Sequence, residues 1–133
     1  MIEIEGYNQL NKILWEQKDS NKIMMLYFST SWCGPCKKLK QRISEQKEEI
    51  NLLEVLHIDC DLEENDEIVD DWKVECLPTQ IFVHIEGENV VKDERIEGFD
   101  WIKLLMSYNK IIEDKNGYDN ISNSYVNDDT QTK

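Results

Sequence analysis

Two cysteines separated by two residues, Cys33 and Cys36, have the clearest potential for chemistry in this sequence. Such a pair can ligate a zinc ion, close a loop as a disulfide, or cycle between a dithiol and a disulfide. It lies between an apolar segment, 23–28, and a segment with helical spacing that begins at Cys33. The surroundings of the pair therefore decide among these chemistries.

The position of Cys33 at the predicted start of a helix favours redox chemistry. Unpaired backbone N–H groups and the helix dipole favour an anion there, which lowers the pKa of a thiol. Lys37 adds positive charge one helical turn later. We therefore predict that Cys33 is the nucleophile and that Cys36 is the resolving thiol. Pro35 fits the first turn, where an N–H has no intrahelical partner.

Length and charge exclude several classes of protein. The 133 residues suffice for one domain that folds without disulfides. The net charge of −13 argues against nucleic acid as a partner, because binding phosphates requires clustered Lys and Arg. There is no apolar run long enough for a membrane span, and residues 1–6 lack the basic start of a signal peptide. We expect a cytoplasmic protein, and in that reducing compartment four cysteines indicate metal or redox chemistry.

Hydrophobic patterning predicts a domain of alternating strands and helices over residues 1–116. A strand, a helix and a second strand indicate a parallel pair, and a later hairpin adds two more strands. Residues 117–133 lose the pattern, so we expect a mobile polar tail, with a docked or partner-binding tail as the alternative. The predicted elements are a helix at 7–17, strands at 23–28 and 52–58 around a helix at 33–50, strands at 81–85 and 90–96, and a last helix from Trp101 that Asp100 caps.

The segment 28–37, which contains Trp32-Cys33-Gly34-Pro35-Cys36, resembles the active-site stretch of the thioredoxin family. The resemblance covers most of residues 1–115. Residues 74–79 resemble the cis-proline loop of that family, residues 57–59 the end of its third strand, and Gly98 the glycine before its last helix. It implies a single-domain, thioredoxin-like α/β fold in which helices flank a central mixed β-sheet.

The resemblance also implies the function, a protein disulfide reductase that exchanges thiols and disulfides through Cys33 and Cys36. No bound cofactor is implied; the electrons would come from NADPH through a thioredoxin reductase, and the clients would be disulfide-containing proteins. Trp32 would cover the pair, although it could merely pack beside the helix start. Gly34 and Pro35 would shape the turn.

The same resemblance implies a docking loop formed by residues 76–79. Pro78 would take the cis form beside the cysteines, and the main chain of Leu77 would pair with an extended client segment. Thr79 completes the loop. Cys76 has two interpretations, a site of glutathionylation or intermolecular disulfide formation, and a small residue that lines the groove. Pro78 could also simply end a loop before an edge strand.

The sequence departs from the family at a buried aspartate six residues before the nucleophile, where it has Tyr27. We place the lysine that usually pairs with this aspartate at Val55. Losing both groups leaves no unpaired buried charge. Because the aspartate is thought to help deprotonate the resolving cysteine, we expect slower resolution of mixed disulfides.

The remaining candidates have weaker support. Cys60 gains no help toward a thiolate from Asp59 and Asp61, so we interpret it as a spectator. A zinc site is not expected, because a second Cys-x-x-Cys motif is missing. His57 and His84 fall in predicted strands, where packed histidines are the common case. Eight carboxylates between Asp59 and Asp71 indicate a solvated face, or a surface that selects basic clients.

Two other functions remain open on the same fold. The chain could be a redox-inactive or weakly active scaffold that binds a partner through its acidic face or tail, since a fold does not determine a function. It could also be an oxidase, an isomerase or a glutathione-dependent enzyme. Retention of both sulfurs argues against a pure scaffold, and Gly34-Pro35 favours a reductase by analogy.

Overall fold

The fold is organised around β2 (Ile23–Ser29), a strand whose seven residues are all buried. Such a strand needs cover on both faces of its sheet, which explains the unbroken apolar run. The computed structural model describes the backbone of residues 1–128 and the side chains of residues 1–115. The other elements are β1 (Ile2–Ile4), α1 (Tyr7–Glu16), α2 (Gly34–Glu45), β3 (Leu53–Asp59), a 3₁₀ turn (Glu63–Asn65), α3 (Asp66–Asp71), β4 (Thr79–Glu86), β5 (Asn89–Glu97) and α4 (Trp101–Asp128).

The five strands form one mixed sheet in the order β1-β3-β2-β4-β5. β2 and β1 both run parallel to β3. β4 runs antiparallel to β2 and forms a hairpin with β5. The predicted single-domain α/β fold with a mixed sheet between helices is therefore confirmed.

Alternation along β2 divides the core into two layers. Met24, Leu26 and Phe28 pack on one face with residues of α1 and α3. Met25 and Tyr27 pack on the other face with residues of α2 and α4. Tyr27 consequently lies on the sheet face that α2 covers, which is the helix that carries the cysteines.

Two short elements escape prediction from the sequence. β1 has only three residues, too few for alternation to be recognised, and α3 is a short acidic helix. The cap of α4 is confirmed, since the Asp100 carboxylate accepts a hydrogen bond from the Lys103 N–H at 3.1 Å.

Helix α4 continues through Asp128, beyond residue 117, where we predict that the tail begins. Residues 129–133 of that predicted tail, and its side chains, lie outside the described residues. The mobility of the tail remains a prediction. Within the part of the chain that the structure describes, none of the helices combines the length and apolar character of a membrane span.

Asn65 ties the β1 edge of the sheet to the end of β3. Its side chain is fully buried. The amide oxygen accepts a hydrogen bond from the Gly6 N–H at 2.8 Å, and the amide nitrogen donates to the carbonyl oxygens of Ile4 and Asp59 at 3.1 and 3.0 Å. One buried side chain thus satisfies three backbone groups from two segments.

We expect Asn65→Ala to lower the free energy of unfolding by about 2 to 4 kcal/mol, because it leaves these backbone groups unpaired in the interior. Urea unfolding followed by circular dichroism measures the change. Asn109→Ala is the control, since Asn109 is exposed on α4 and its replacement should change the value by no more than about 0.5 kcal/mol. Equal effects of the two substitutions would contradict the bracing role of Asn65.

Candidate active site

Three loops meet at one edge of the sheet. Ser29 at the end of β2 pairs with Asp59 at the end of β3, and Phe28 pairs with Thr79 at the start of β4. Parallel strands end at the same edge, and an antiparallel neighbour begins there. The segments that follow β2 and β3 and precede β4 therefore share this edge, and they contain all four cysteines.

Cys33 and Cys36 are joined by a disulfide at the start of α2. Cys33 is the N-cap residue, and its Sγ accepts a hydrogen bond from the Cys36 N–H at 3.2 Å. The Cys33 carbonyl accepts from the Lys37 N–H at 3.2 Å. Cys33 is 6% exposed and Cys36 is 2% exposed, so Cys36 is the deeper of the two. The predicted location of the pair at a helix N-terminus is confirmed.

Trp32 lies on the surface beside the disulfide, with 72% of its area exposed. Its Nε1–H donates to Asp61 Oδ1 at 3.2 Å. The N–H and hydroxyl of Ser31 both donate to Asp61 Oδ2 at 3.2 Å. Asp61 therefore holds the loop before Cys33 through both carboxylate oxygens. We assign Asp61 only to the acidic stretch in the sequence; its position just after the third strand is the signal that could have identified it.

The loop before β4 contains a cis peptide bond between Leu77 and Pro78, the form that the resemblance implies. The Thr79 hydroxyl donates to the Cys76 carbonyl at 2.7 Å. The Pro78 carbonyl accepts from the Gly98 N–H at 2.7 Å. Hydrogen bonds from β4 and from the segment after β5 thus fix the loop, while Cys76 is exposed at its surface.

The residue of β3 that faces Tyr27 is His57. The strand register pairs Tyr27 with His57 and Met25 with Val55, and the two rings of the first pair have centroids 5.1 Å apart. Val55, where we place the lysine position of the family, lies two residues earlier on the same face of β3, and it packs in the same core layer as Tyr27. The titratable side chain next to Tyr27 on β3 is therefore that of His57.

Tyr27 also donates a hydrogen bond to α2, the helix that carries the cysteines. Its hydroxyl donates to the Cys36 carbonyl at 2.7 Å. Burial raises the pKa of Tyr27 above its ordinary value, so the phenol stays protonated at neutral pH. Tyr27 is thus a buried core aromatic residue whose hydroxyl has a hydrogen-bond partner.

His57 is held by hydrogen bonds to both ring nitrogens. Nδ1 lies 2.7 Å from Glu3 Oε1, and Nε2 lies 2.5 Å from Ser29 Oγ. The His57 side chain is only 13% exposed, whereas that of Glu3 is 61% exposed. The prediction of a packed histidine is confirmed, and its hydrogen bonds connect solvent with the interior near Cys36.

The two other cysteines are free thiols with different surroundings. Burial raises the pKa of Cys60 to about 11, and the charges of Asp59 and Asp61 add to the rise. Neighbouring carboxylates therefore disfavour the Cys60 thiolate, as the sequence indicates. In residues 1–115, groups of three or more His, Cys, Asp and Glu side chains placed to hold a metal ion are absent.

We expect iodoacetamide at pH 8 to alkylate the oxidised protein at Cys76 at least about tenfold faster than at Cys60, because only a thiolate reacts. Peptide mass mapping measures both rates. Alkylation of Cys60 should accelerate as the pH rises toward 11. In urea the two thiols should react alike, and equal rates in the folded protein would contradict this assignment.

The comparisons with known proteins agree with this geometry. The family model described as Thioredoxin matches residues 7–106. Thioredoxin H-type from Fagopyrum esculentum is 31% identical over 79% of this chain and 85% of its own length. Thioredoxin H8 from Arabidopsis thaliana is 36% identical over 47% of this chain, which spans only 42% of that relative. A poplar thioredoxin h structure has 25% identity and a TM-score of 0.72, covering 84% of this chain and 96% of the other. With the Cys33–Cys36 disulfide at the start of α2, the chain belongs to the thioredoxin family.

Proposed function

We propose that the protein reduces disulfides of other proteins by cycling Cys33 and Cys36 between dithiol and disulfide. The observation that carries the proposal is the Cys33–Cys36 disulfide at the start of α2, at the sheet edge shared with the loop of Pro78. A domain of this size folds without disulfides, so it does not need this bond for stability. The position of the pair beside the Pro78 loop is instead explained by exchange with a disulfide of a bound client.

The proposed reaction has two exchange steps. The Cys33 thiolate attacks one sulfur of the client disulfide; that bond breaks, a mixed disulfide forms, and the first client thiolate leaves. Cys36 then loses its proton and attacks Cys33 Sγ, which releases the second client thiolate. Two electrons have passed to the client, and the Cys33–Cys36 disulfide has formed.

The order of the two thiols follows from their positions on α2. Cys33 caps the helix, where backbone N–H groups and the dipole favour a thiolate, and it is the less buried sulfur residue. Lys37 adds positive charge one turn later. Cys36 is deeper, so a client disulfide reaches Cys33 first, and Cys36 acts only within the mixed disulfide.

The loop of residues 76–79 is the proposed docking site for the client chain. Its conformation is fixed by the hydrogen bonds of Thr79 and Pro78, so little ordering remains to be done when a client binds. The main chain of Leu77 would pair with an extended client segment. Trp32, anchored to Asp61, would cover the other side of the bound segment.

Family membership supports a proposal for the electron supply. We propose that NADPH reduces a thioredoxin reductase, which in turn reduces the Cys33–Cys36 disulfide in the cytoplasm. The chemistry of Cys33 and Cys36 needs no bound cofactor, since both exchange steps use only sulfur atoms of the protein and the client.

A surface beside the redox pair favours basic clients. Seven carboxylates from the 3₁₀ turn, α3 and the residue that anchors Trp32 are exposed: Asp61, Glu63, Glu64, Asp66, Glu67, Asp70 and Asp71. Asp61 connects this acidic surface directly to Trp32. The same surface would serve a scaffold that holds a basic partner, which is the alternative function.

Insulin reduction with thioredoxin reductase and NADPH tests the enzyme. We expect Cys33→Ser to lower turnover by more than about 100-fold, because it removes the attacking sulfur. Cys36→Ser should also stop turnover, but it should accumulate a mixed disulfide that non-reducing electrophoresis detects. Cys60→Ser is the matched control and should retain most of the activity, because Cys60 is a free thiol outside the redox pair and the docking loop. An inactive wild-type protein, with either thioredoxin reductase or glutathione, would favour the scaffold.

Two disulfide peptides that differ only in Lys or Glu residues flanking the disulfide test client selection. We expect the Lys peptide to be reduced several-fold faster at low salt, because opposite charges raise the encounter rate. The advantage should shrink near 1 M salt, where the screening length is about 3 Å. Rates that are equal for both peptides at low salt would contradict selection by the acidic surface.

A further inference from the structure

We propose that His57, oriented by Glu3 and linked through Ser29 to a cavity beside Cys36, accepts the proton of Cys36 when the mixed disulfide is resolved. This inference rests on the proposed reductase function. It also changes the expectation drawn from Tyr27, because the resolving thiol has a proton acceptor within its surroundings despite the missing aspartate.

Cys36 requires such an acceptor because of its position. It is 2% exposed, and burial disfavours the thiolate that must attack Cys33. Tyr27 is adjacent but cannot take the proton, since its hydroxyl is protonated and already donates to the Cys36 carbonyl. Another group has to receive the proton as Cys36 becomes a nucleophile.

A cavity of about 230 Å³ lies beside the start of α2 and is open to solvent where Lys37 and Lys40 are exposed. Cys36, His57, Ser29 and Thr30 all line it. The hydroxyl of Thr30 is buried and lacks a hydrogen-bond partner among the described residues. Because buried polar groups in proteins are normally paired, often with water, the cavity is a site for water that can carry a proton.

The hydrogen bonds of His57 set its tautomer. A carboxylate only accepts hydrogen bonds, so Nδ1 of His57 carries the hydrogen that Glu3 accepts at 2.7 Å. Nε2 of the neutral ring is then an acceptor, and the Ser29 hydroxyl donates to it at 2.5 Å. The basic nitrogen of His57 is therefore the one on the Ser29 side, and Ser29 can pass on a proton while accepting another.

The proposed step balances as follows. The Cys36 S–H bond breaks as Cys36 Sγ bonds to Cys33 Sγ, and the sulfur–sulfur bond to the client breaks. The proton moves through the cavity and Ser29 to Nε2 of His57, and Glu3 stabilises the resulting imidazolium. His57 later returns the proton to solvent or to the departing client thiolate, so the relay is restored for the next cycle.

The charged groups around the cavity favour this direction of transfer. Lys37 and Lys40 of α2 line the cavity and favour a thiolate on Cys36. Glu3 on β1 and Asp59 at the end of β3 favour a positive charge on the His57 side. Tyr27 faces His57 as a neutral ring.

Stopped-flow reaction of the reduced protein with dithiobis(nitrobenzoate) separates the two exchange steps. Attack by Cys33 releases one coloured nitrothiobenzoate, and attack by Cys36 releases the second. The measurement is made in the Cys76→Ser background, because Cys76 is exposed and would react as well. Adding Cys36→Ser to this background identifies the first phase, since it cannot give the second.

We expect His57→Gln to slow the second phase by about tenfold or more at pH 7, a modest effect for loss of a proton acceptor. The first phase should not change. Ser29→Ala should slow the second phase similarly, and Glu3→Gln less. His84→Gln is the matched control, because His84 also bonds to two carboxylates, Glu86 and Asp93, but does not line this cavity.

The pH profile distinguishes proton acceptance from a structural effect. In the background protein the second phase should slow as the pH falls, because an acceptor that is already protonated cannot take the proton of Cys36. In His57→Gln this limb should disappear, and the rate should follow ionisation of the thiol alone. An unchanged second phase in His57→Gln, or equal slowing of both phases, would overturn the proposal.

Failure of the relay and failure of the reductase function give different results. If the background protein shows both phases and His57→Gln matches it, the relay is wrong and the reductase remains. If both phases occur and depend on His57, but insulin is not reduced, the relay stands and the client class is wrong. If the background protein shows only the first phase, resolution by Cys36 does not occur, and both proposals are overturned.

Discussion

The site depends on the pairing of β2 with a parallel strand on one side and an antiparallel strand on the other. This arrangement brings the ends of two strands and the start of a third to one edge of the sheet. Full burial of β2 fixes its register, because a shift by one residue would exchange the two core layers. The turn of Cys33 and Cys36, the Asp61 side chain that holds Trp32, and the loop of Pro78 are therefore positioned by the same apolar packing that stabilises the domain.

The sequence predicts the parts of the fold that follow from apolar periodicity. The continuous apolar run of β2 and the helical spacing after Cys33 are long enough to identify their elements. β1 is too short to be identified, since the three residues of this edge strand carry almost no periodic signal. β1 matters for the site because it carries Glu3, whose carboxylate is hydrogen-bonded to His57 in the proposed proton relay.

The chemistry of the site is predictable where it is local in sequence. Cys33 and Cys36 are two residues apart, and the start of their helix can be located without a structure. The contacts of Asp61 and His57 span from 28 to 54 residues along the chain, so only strand register can reveal them. For the same reason the pairing of Tyr27 with His57 could not be found from the sequence alone.

Tyr27, in place of the buried aspartate of the family, removes an ionisable carboxylate from the interior near Cys36. A buried carboxylate would have to be ionised beside Cys36 at a substantial desolvation cost, whereas the phenol remains neutral and donates to the Cys36 carbonyl. The titratable function then moves to His57, which is mostly buried but reaches solvent through an exposed glutamate. A neutral imidazole costs less to bury than a carboxylate and is charged only while it holds the proton. The core of this domain thus provides a base near Cys36 without burying a carboxylate there.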